Sequence, residues 1–305
     1  MSINLKTSFC GVEFSTPFVS VSGIVVDLPQ NIRLAQIRGV GGITPKSISI
    51  LPREGNPIPR IASFGIGFLN SVGLRNSGVD KGVEDLIALK KTTKKPIIAS
   101  IVGFQLKELP YLAKRVASAK PAFIELNLSC PNVDDEVGRP FATDPLLAAI
   151  IVHEVKKVVK DIPIIAKLTP NTLDLKKVAY EVEEAGADAI SAINAAGPGM
   201  LIDHKRRKPV LGNRVGGMSG AAIFPLALRC VNDIAKTVKI PIIGLGGVSN
   251  GKDALEMIMA GATLVGVGSV IFQKGQKIFD EIDCEMKDIC RAERIRSLKK
   301  IRGII

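Results

Sequence analysis

The chain has 305 residues, 46% of them apolar and 23% charged, with a formal net charge of +12. No apolar run approaches the roughly 18–20 residues of a membrane helix, and the N-terminal MSINLKTSFCGVEF lacks a charged-then-apolar leader pattern, so a soluble cytoplasmic protein without a membrane partner is expected. The five cysteines (Cys10, Cys130, Cys230, Cys284, Cys290) are odd in number and widely spaced, and the two histidines, His153 and His204, are isolated, which argues against a disulfide framework and against a zinc or iron–sulfur centre within this chain.

Along the chain, NLKTSFCGVEFSTPF is expected to form a small hairpin ahead of the main fold. Short runs rich in Val and Ile then recur. They are PFVSVSG (17–23), GGITPKS (41–47), PIIASIVG (96–103), AFIELNLSC (122–130), PIIAKLT (163–169), DAISAIN (188–194), PIIGLGG (241–247) and LVGVGS (264–269). Their apolar residues are continuous rather than alternating, the pattern of strands buried on both faces. Proline opens several of them, a position that needs no ladder donor.

Between the strands lie amphipathic segments of helical period. Examples are KELPYLAKRVASA (107–119), DPLLAAIIVHEVKKVVK (144–160) and LDLKKVAYEVEEAG (173–186), the last closed by a helix-stopping glycine. In the second, Leu146, Ile150, Val155 and Val158 are spaced as an apolar stripe. Alternating strand and helix predicts a parallel sheet with right-handed crossovers, and eight such units predict a closed (β/α)₈ barrel occupying residues 1–305 as one domain. An open doubly wound sheet is the weaker reading, because no Gly-x-Gly-x-x-Gly turn follows the first strand. Two long insertions, 48–78 and 195–219, are expected as functional loops. The basic run RAERIRSLKKIRG (Arg291 to Gly303) reads as the solvated face of a last helix. The positive charge favours an anionic partner, but Trp is absent and no aromatics interleave the basic run, so no nucleic-acid partner is expected.

In such a barrel the reacting groups stand at the C-terminal strand ends. Those ends carry Ser22, Lys46, Ser100, Asn127 with Cys130, Lys167, Asn194, Gly246 with Gly247, and Gly268 with Ser269. The glycines after strands seven and eight suit a phosphate site. Two lysines would place positive charge over the barrel mouth, where it would stabilise an electron-rich ring such as a reduced flavin. Cys130 sits in a polar turn before Pro131, and its thiol could serve as nucleophile or general base.

NLSCPN (127–132), TPKSISILPREGNPIPR (44–60), FLNSVGLRNSG (68–78), GGMSGAAI (216–223), IIGLGGV (242–248) and VGVGS (265–269) together resemble class 1 dihydroorotate dehydrogenase, in order and over essentially the whole chain. The GPGMLID block (197–203) looks closer to the heteromeric, often archaeal, forms than to the fumarate-using homodimers. The resemblance implies FMN as cofactor and the oxidation of dihydroorotate to orotate in pyrimidine synthesis. It implies an oligomer, a dimer or a heterotetramer, and in the heteromeric form a second subunit carrying FAD and an iron–sulfur cluster.

The resemblance also implies a role for individual positions. Cys130 would be the general base that removes the C5 proton, under a lid formed by the loop that follows it. Lys46 would contact substrate and flavin. Further substrate contacts would come from Asn70, Ser71, Val72, Gly73 and Leu74, partly through backbone. Asn127 and Asn132 would hold the pyrimidine ring, with Asn194 and Ala195 at the end of strand six. Ser22, Ser47, Ser100, Asn127, Lys167 and Ile193 would line the flavin. Gly220, Gly246, Gly247, Gly268 and Ser269 would hold its phosphate. Two positions depart from the family pattern: Ser100 replaces the usual asparagine after strand three, and Ala195 replaces the usual threonine or serine after strand six.

Three other readings compete. One is an FMN-dependent tRNA dihydrouridine synthase, which would suit the basic charge but not the NLSCPN and NSVGL blocks. Another is a non-redox phosphate-binding aldolase or isomerase with Lys167 as Schiff-base lysine. The last is a scaffold that kept the barrel and lost the chemistry, against which Cys130 and the two lysines argue.

Overall fold

A computed structural model describes residues 3–129 and 141–305. The chain begins with an antiparallel hairpin, Thr7–Phe9 paired with Val12–Phe14. Its two-residue turn, Cys10 and Gly11, has φ values of 46° and 79°, the left-handed pair that matches the twist of a tight hairpin. Phe9 and Phe14 pack against Phe123, with ring centroids 5.5 and 6.0 Å away. The hairpin thus closes the N-terminal end of the barrel with an aromatic plug.

Seven parallel strands form one sheet in the order Phe18–Ser20, Leu264–Val267, Ile242–Leu245, Ala189–Ala192, Ile164–Lys167, Phe123–Asn127, Ile98–Ile101. The expected second strand is present as single bridges rather than as a ladder, and it joins the sheet's two edges. On one side Gly41 N donates to Phe18 O at 2.7 Å and Ser20 N to Gly42 O at 3.1 Å. On the other, Ile98 N donates to Ile43 O at 2.8 Å and Ile48 N to Ser100 O at 2.9 Å. The ladder breaks between these points because Pro45 has no N–H to offer and Thr44 N turns to the Ser20 hydroxyl at 2.9 Å. With this segment in place the sheet closes on itself, as a (β/α)₈ barrel requires.

Alternate strand residues face opposite ways. Val19, Ile98, Phe123, Ile165, Ala189, Ile243 and Leu264 fill the interior with the plug. Ile124, Leu126, Ile164, Ala166, Ile190 and Val265 face the surrounding helices. Both faces are buried, which is why the strand sequences read as unbroken apolar runs.

The helices Glu108–Ala117, Pro145–Val158 and Leu175–Glu184 lie within the segments expected for them. Asp144 caps the second of these, accepting from Leu146 N at 2.9 Å. Its buried stripe differs from the expected one. Ala148, Ile151, Val152 and Val155 face the core, whereas Leu146, Ile150 and Val158 are 66%, 47% and 45% exposed. This helix carries apolar residues on more than one side, so periodicity alone allowed two registers, and the strands beneath select the one built on small Ala148.

The insertions are more ordered than their Gly- and Pro-rich composition suggests. They pair as an antiparallel sheet in the order Ala196–Gly199, Gly216–Gly220, Gly67–Asn70, Ile61–Phe64. The glycine content serves this pairing: a Cβ on Gly216 would stand 2.5 Å from Asn70 O. The basic C-terminal run is not one helix. Ile278–Ala292 ends inside it and a short separate helix, Leu298–Ile301, follows. His153 and His204 are exposed. Among the described residues, no helix is long and apolar enough to cross a membrane.

The two helix registers separate by unfolding. Ile151→Ala is expected to cost about 2–5 kcal/mol, and Leu146→Ala to stay within about 0.5 kcal/mol, read from the urea midpoints at unchanged m-value.

Candidate active site

The C-terminal strand ends and the antiparallel sheet enclose a cavity of about 430 Å³. Its floor is the inward-facing layer of the barrel. Lys167, at the end of Ile164–Lys167, is almost fully buried. Its Nζ donates to Ser22 Oγ at 2.9 Å and lies 3.7 Å from Glu125 Oε1. The other Glu125 oxygen accepts from Ser191 Oγ at 2.8 Å. A buried carboxylate and ammonium beside one another neutralise charges that would be costly alone in the barrel.

One wall is a chain of short polar side chains. Asn194 Nδ2 donates to Ser129 Oγ at 2.6 Å, and Ser129 Oγ donates to Asn127 Oδ1 at 2.8 Å. Asn127 Nδ2 reaches Ser47 Oγ at 3.5 Å, and Ser47 Oγ bonds Ser100 Oγ at 2.9 Å. The order of donors orients both amides and fixes which polar atoms face the cavity. Lys46 lines the same space, with its Nζ 3.6 Å from where a Cβ on Gly23 would stand.

The opposite end is a glycine cradle. Gly246 and Gly247 follow strand Ile242–Leu245, and Gly220 precedes the helix Phe224–Ala235 through the turn Ala221–Ile223. Gly247 has φ +84°, and a Cβ there would meet Phe224 N at 2.8 Å and Gly220 O at 2.9 Å. The absence of a side chain therefore lets the strand-end backbone pack closely against the partly positive start of a helix at the cavity edge, a combination that suits a phosphate. Ser269 Oγ and Ser219 Oγ, 2.9 Å apart, complete the rim.

The fold brings nearly all of the expected positions together. Ser22, Lys46, Ser47, Asn127, Lys167 and Ile193 line the cavity. So do Asn70, Ser71, Val72, Gly73, Leu74, Asn194 and Ala195, together with Gly220, Gly246, Gly247, Gly268 and Ser269. Ser100 does not: it stands behind the wall, buried, and supports Ser47. Cys130, Asn132 and the expected lid loop (132–145) as far as residue 140 lie outside the described residues; its last part is the turn Phe141–Thr143, with Phe141 and Ala142 buried, and the start of the helix Pro145–Val158.

Several lining residues had no place in the sequence reading. Ser129 lies inside the NLSCPN block, but only the fold reveals that it links two asparagines. Asn171 Nδ2 donates to Ala195 O at 3.4 Å and its Oδ1 accepts from Gly197 N at 3.0 Å, holding the strand beside the cavity. Asn213 Nδ2 donates to Ser71 Oγ at 3.0 Å, tying one insertion to the other. Phe68 and Phe272 meet edge-on at the rim with centroids 6.0 Å apart. Glu125 could have been noticed as the lone charge within an apolar strand. Among the described residues, no group of three or more His, Cys, Asp or Glu is placed to hold a metal ion.

Comparison with known proteins agrees with this geometry. The family model described as dihydroorotate dehydrogenase matches residues 4–290. The chain is 38% identical over 303 residues to the dihydroorotate dehydrogenase B (NAD(+)) catalytic subunit of Lachnoclostridium phytofermentans, covering 99% of this chain and 100% of that one. It is 40% identical over 301 residues to the protein of the same description from Alkaliphilus metalliredigens, covering 99% and 98%. For that of Pyrococcus horikoshii the identity is 38% over 303 residues, covering 98% and 97%.

Gly247→Ala is expected to lose more than about 1 kcal/mol of stability, since alanine is strained at positive φ. It should also lose the stabilisation that inorganic phosphate gives the wild-type chain by binding the folded state. Urea unfolding with and without phosphate measures both.

Proposed function

The chain belongs to the dihydroorotate dehydrogenase family, and we propose that it is the catalytic subunit of a B-type enzyme, with Cys130 as base and FMN as cofactor. As a member of this family it oxidises dihydroorotate to orotate in pyrimidine biosynthesis and uses a flavin. The observation that carries the finer reading is the cavity itself: one space joins a glycine cradle, a buried lysine and a row of amides. These residues fit a flavin mononucleotide, whose phosphate suits the cradle and whose ring suits a charged floor. Residues 1–305 would act as one flavin-binding unit in the cytoplasm.

In sequence, Cys130 directly follows Ser129 and stands three positions after Asn127, the last residue of the strand Phe123–Asn127. Its thiolate would take the proton from C5 of dihydroorotate. The bound flavin supplies the acceptor for the hydride that leaves C6. Asn127 and Asn194, oriented by Ser129, would bind the polar edges of the pyrimidine ring. Asn70 donates to Gly217 O at 3.1 Å, which holds the substrate-side segment Asn70 to Leu74 against the central sheet strand. Lys46 would stand between the two ligands, its charge matched to the substrate carboxylate. Asn132 would add a further amide.

The relatives' description as NAD(+) catalytic subunits supports a partner subunit in a heteromeric assembly, and the family resemblance implies that this partner would carry electrons onward through FAD and an iron–sulfur cluster. A tRNA dihydrouridine synthase or a Schiff-base aldolase fits less well. Lys167 is engaged by a carboxylate and a hydroxyl rather than presented as a free amine.

The deciding experiment is anaerobic. The purified chain, loaded with FMN, should lose its visible flavin band when dihydroorotate is added, and Cys130→Ala should keep the flavin but bleach about 10²–10⁴-fold more slowly, the usual loss of a general base. A loaded wild type that does not bleach contradicts the reading.

Thiol labelling gives an independent measurement. Burial, aided by Asp188, pushes the Cys10 thiol up to about 11, and burial raises Cys230 and Cys290 as well. Cys284 is exposed. At pH 8 iodoacetamide should therefore label Cys284 and Cys130 before the other three, and orotate should protect Cys130 alone. Equal labelling of Cys130 with and without orotate would place it away from the substrate.

A further inference from the structure

Glu125 is a charged residue inside the barrel, on a strand whose other inward side chains are Phe123 and Asn127. It is 3% exposed and does not line the cavity. One oxygen is held by Ser191, and the other, Oε1, has no hydrogen-bond partner and lies 3.7 Å from Lys167 Nζ. Lys167 leans instead on Ser22, at 2.9 Å, and lines the cavity floor. The pair is therefore a charge couple without a direct hydrogen bond: its positive end meets the cavity and its negative end sits behind it. At a depth this buried, charges a few ångströms apart act on one another, and on a ligand, more strongly than in water.

We propose that Glu125 is a positioning residue that sets the reduction potential of the bound flavin by offsetting the charge of Lys167. This rests on the reading of the cavity as the flavin site. A lone buried ammonium at the floor would favour the electron-rich reduced flavin and hold electrons there. The carboxylate 3.7 Å behind it leaves a dipole in place of a full charge, so that the flavin accepts electrons from substrate yet releases them to the next carrier. Ser191, bonded to the far oxygen, fixes the direction of that dipole.

The test is the equilibrium potential of the FMN-loaded chain, measured anaerobically against a reference dye. Glu125→Gln keeps an acceptor for Lys167 but removes the negative charge. It is expected to shift the equilibrium towards reduced flavin by about tenfold, about 30 mV for a two-electron couple. Lys167→Met is expected to shift it the other way, and the double variant, a neutral replacement of the pair of the kind buried sites tolerate, to return near the wild-type value. A packing role alone would not move the two single variants in opposite directions. Should Glu125→Gln fail to fold, the double variant compared with Lys167→Met reads the same quantity, and equal potentials for those two overturn the proposal. A loaded wild type whose potential Glu125→Gln leaves unchanged overturns this inference alone, whereas a wild-type chain that takes up no flavin overturns the cavity reading together with it.

Discussion

Barrel closure is the constraint on which the rest depends. Seven strands in one parallel sheet leave two edges, and both are satisfied by one irregular segment, Gly41 to Ile48, which bonds Phe18 and Ser20 on one side and the Ile98–Ile101 strand on the other. Unpaired backbone groups at a buried edge are costly, so this segment holds its course despite Pro45. Its course carries Lys46 and Ser47 up to the mouth, where they share one cavity with Asn127 and Lys167 from strands two and three places round the ring. Without closure, residues eighty or more positions apart would have no shared space.

Closure also sorts the interior by depth. At the N-terminal end the hairpin supplies Phe9 and Phe14 to meet Phe123, and this layer is wholly apolar. One step up, Glu125, Lys167 and Ser191 form a buried polar layer. Above it the asparagines and serines of the wall face a cavity. A charge pair is tolerated at mid-height because its members neutralise each other and most of their polar atoms are bonded. The exception, Glu125 Oε1, faces the lysine across a gap, and that gap gives the pair its electrical asymmetry.

The insertions supply the roof and part of the specificity. Their antiparallel sheet joins residues 61–70 to residues 196–220, so neither insertion is ordered by its own sequence alone. Asn171, bonding Ala195 O and Gly197 N, holds the roof to the barrel, and Asn213, bonding the Ser71 hydroxyl, ties the two insertions to each other. The two departures from the family pattern fall in different places. Ser100 works at one remove through Ser47, while Ala195 faces the cavity, where a Cβ on neighbouring Gly217 would stand 2.6 Å from its side chain. A small residue at 195 thus suits the close approach of the roof strand.

Local sequence determined much of this by itself. Apolar runs buried on both faces and amphipathic segments between them are enough to specify eight β/α units, because side-chain burial is a periodic property. The NLSCPN, NSVGL and glycine blocks carried the family and most of the cavity wall, because a site at the strand ends is built from residues adjacent to recognisable strands. Other features were decided only by tertiary structure. Periodicity could not choose between two apolar stripes on Pro145–Val158, since both fit 3.6 residues per turn and only the strands beneath tell them apart. The roof sheet was hidden because its central pairing, Gly67–Asn70 with Gly216–Gly220, joins segments far apart in sequence, and its strands carry glycine for close approach. The Lys167–Glu125–Ser191 layer was invisible because three side chains on three strands become neighbours only when the barrel closes, and electrostatic coupling depends on distance in space rather than along the chain.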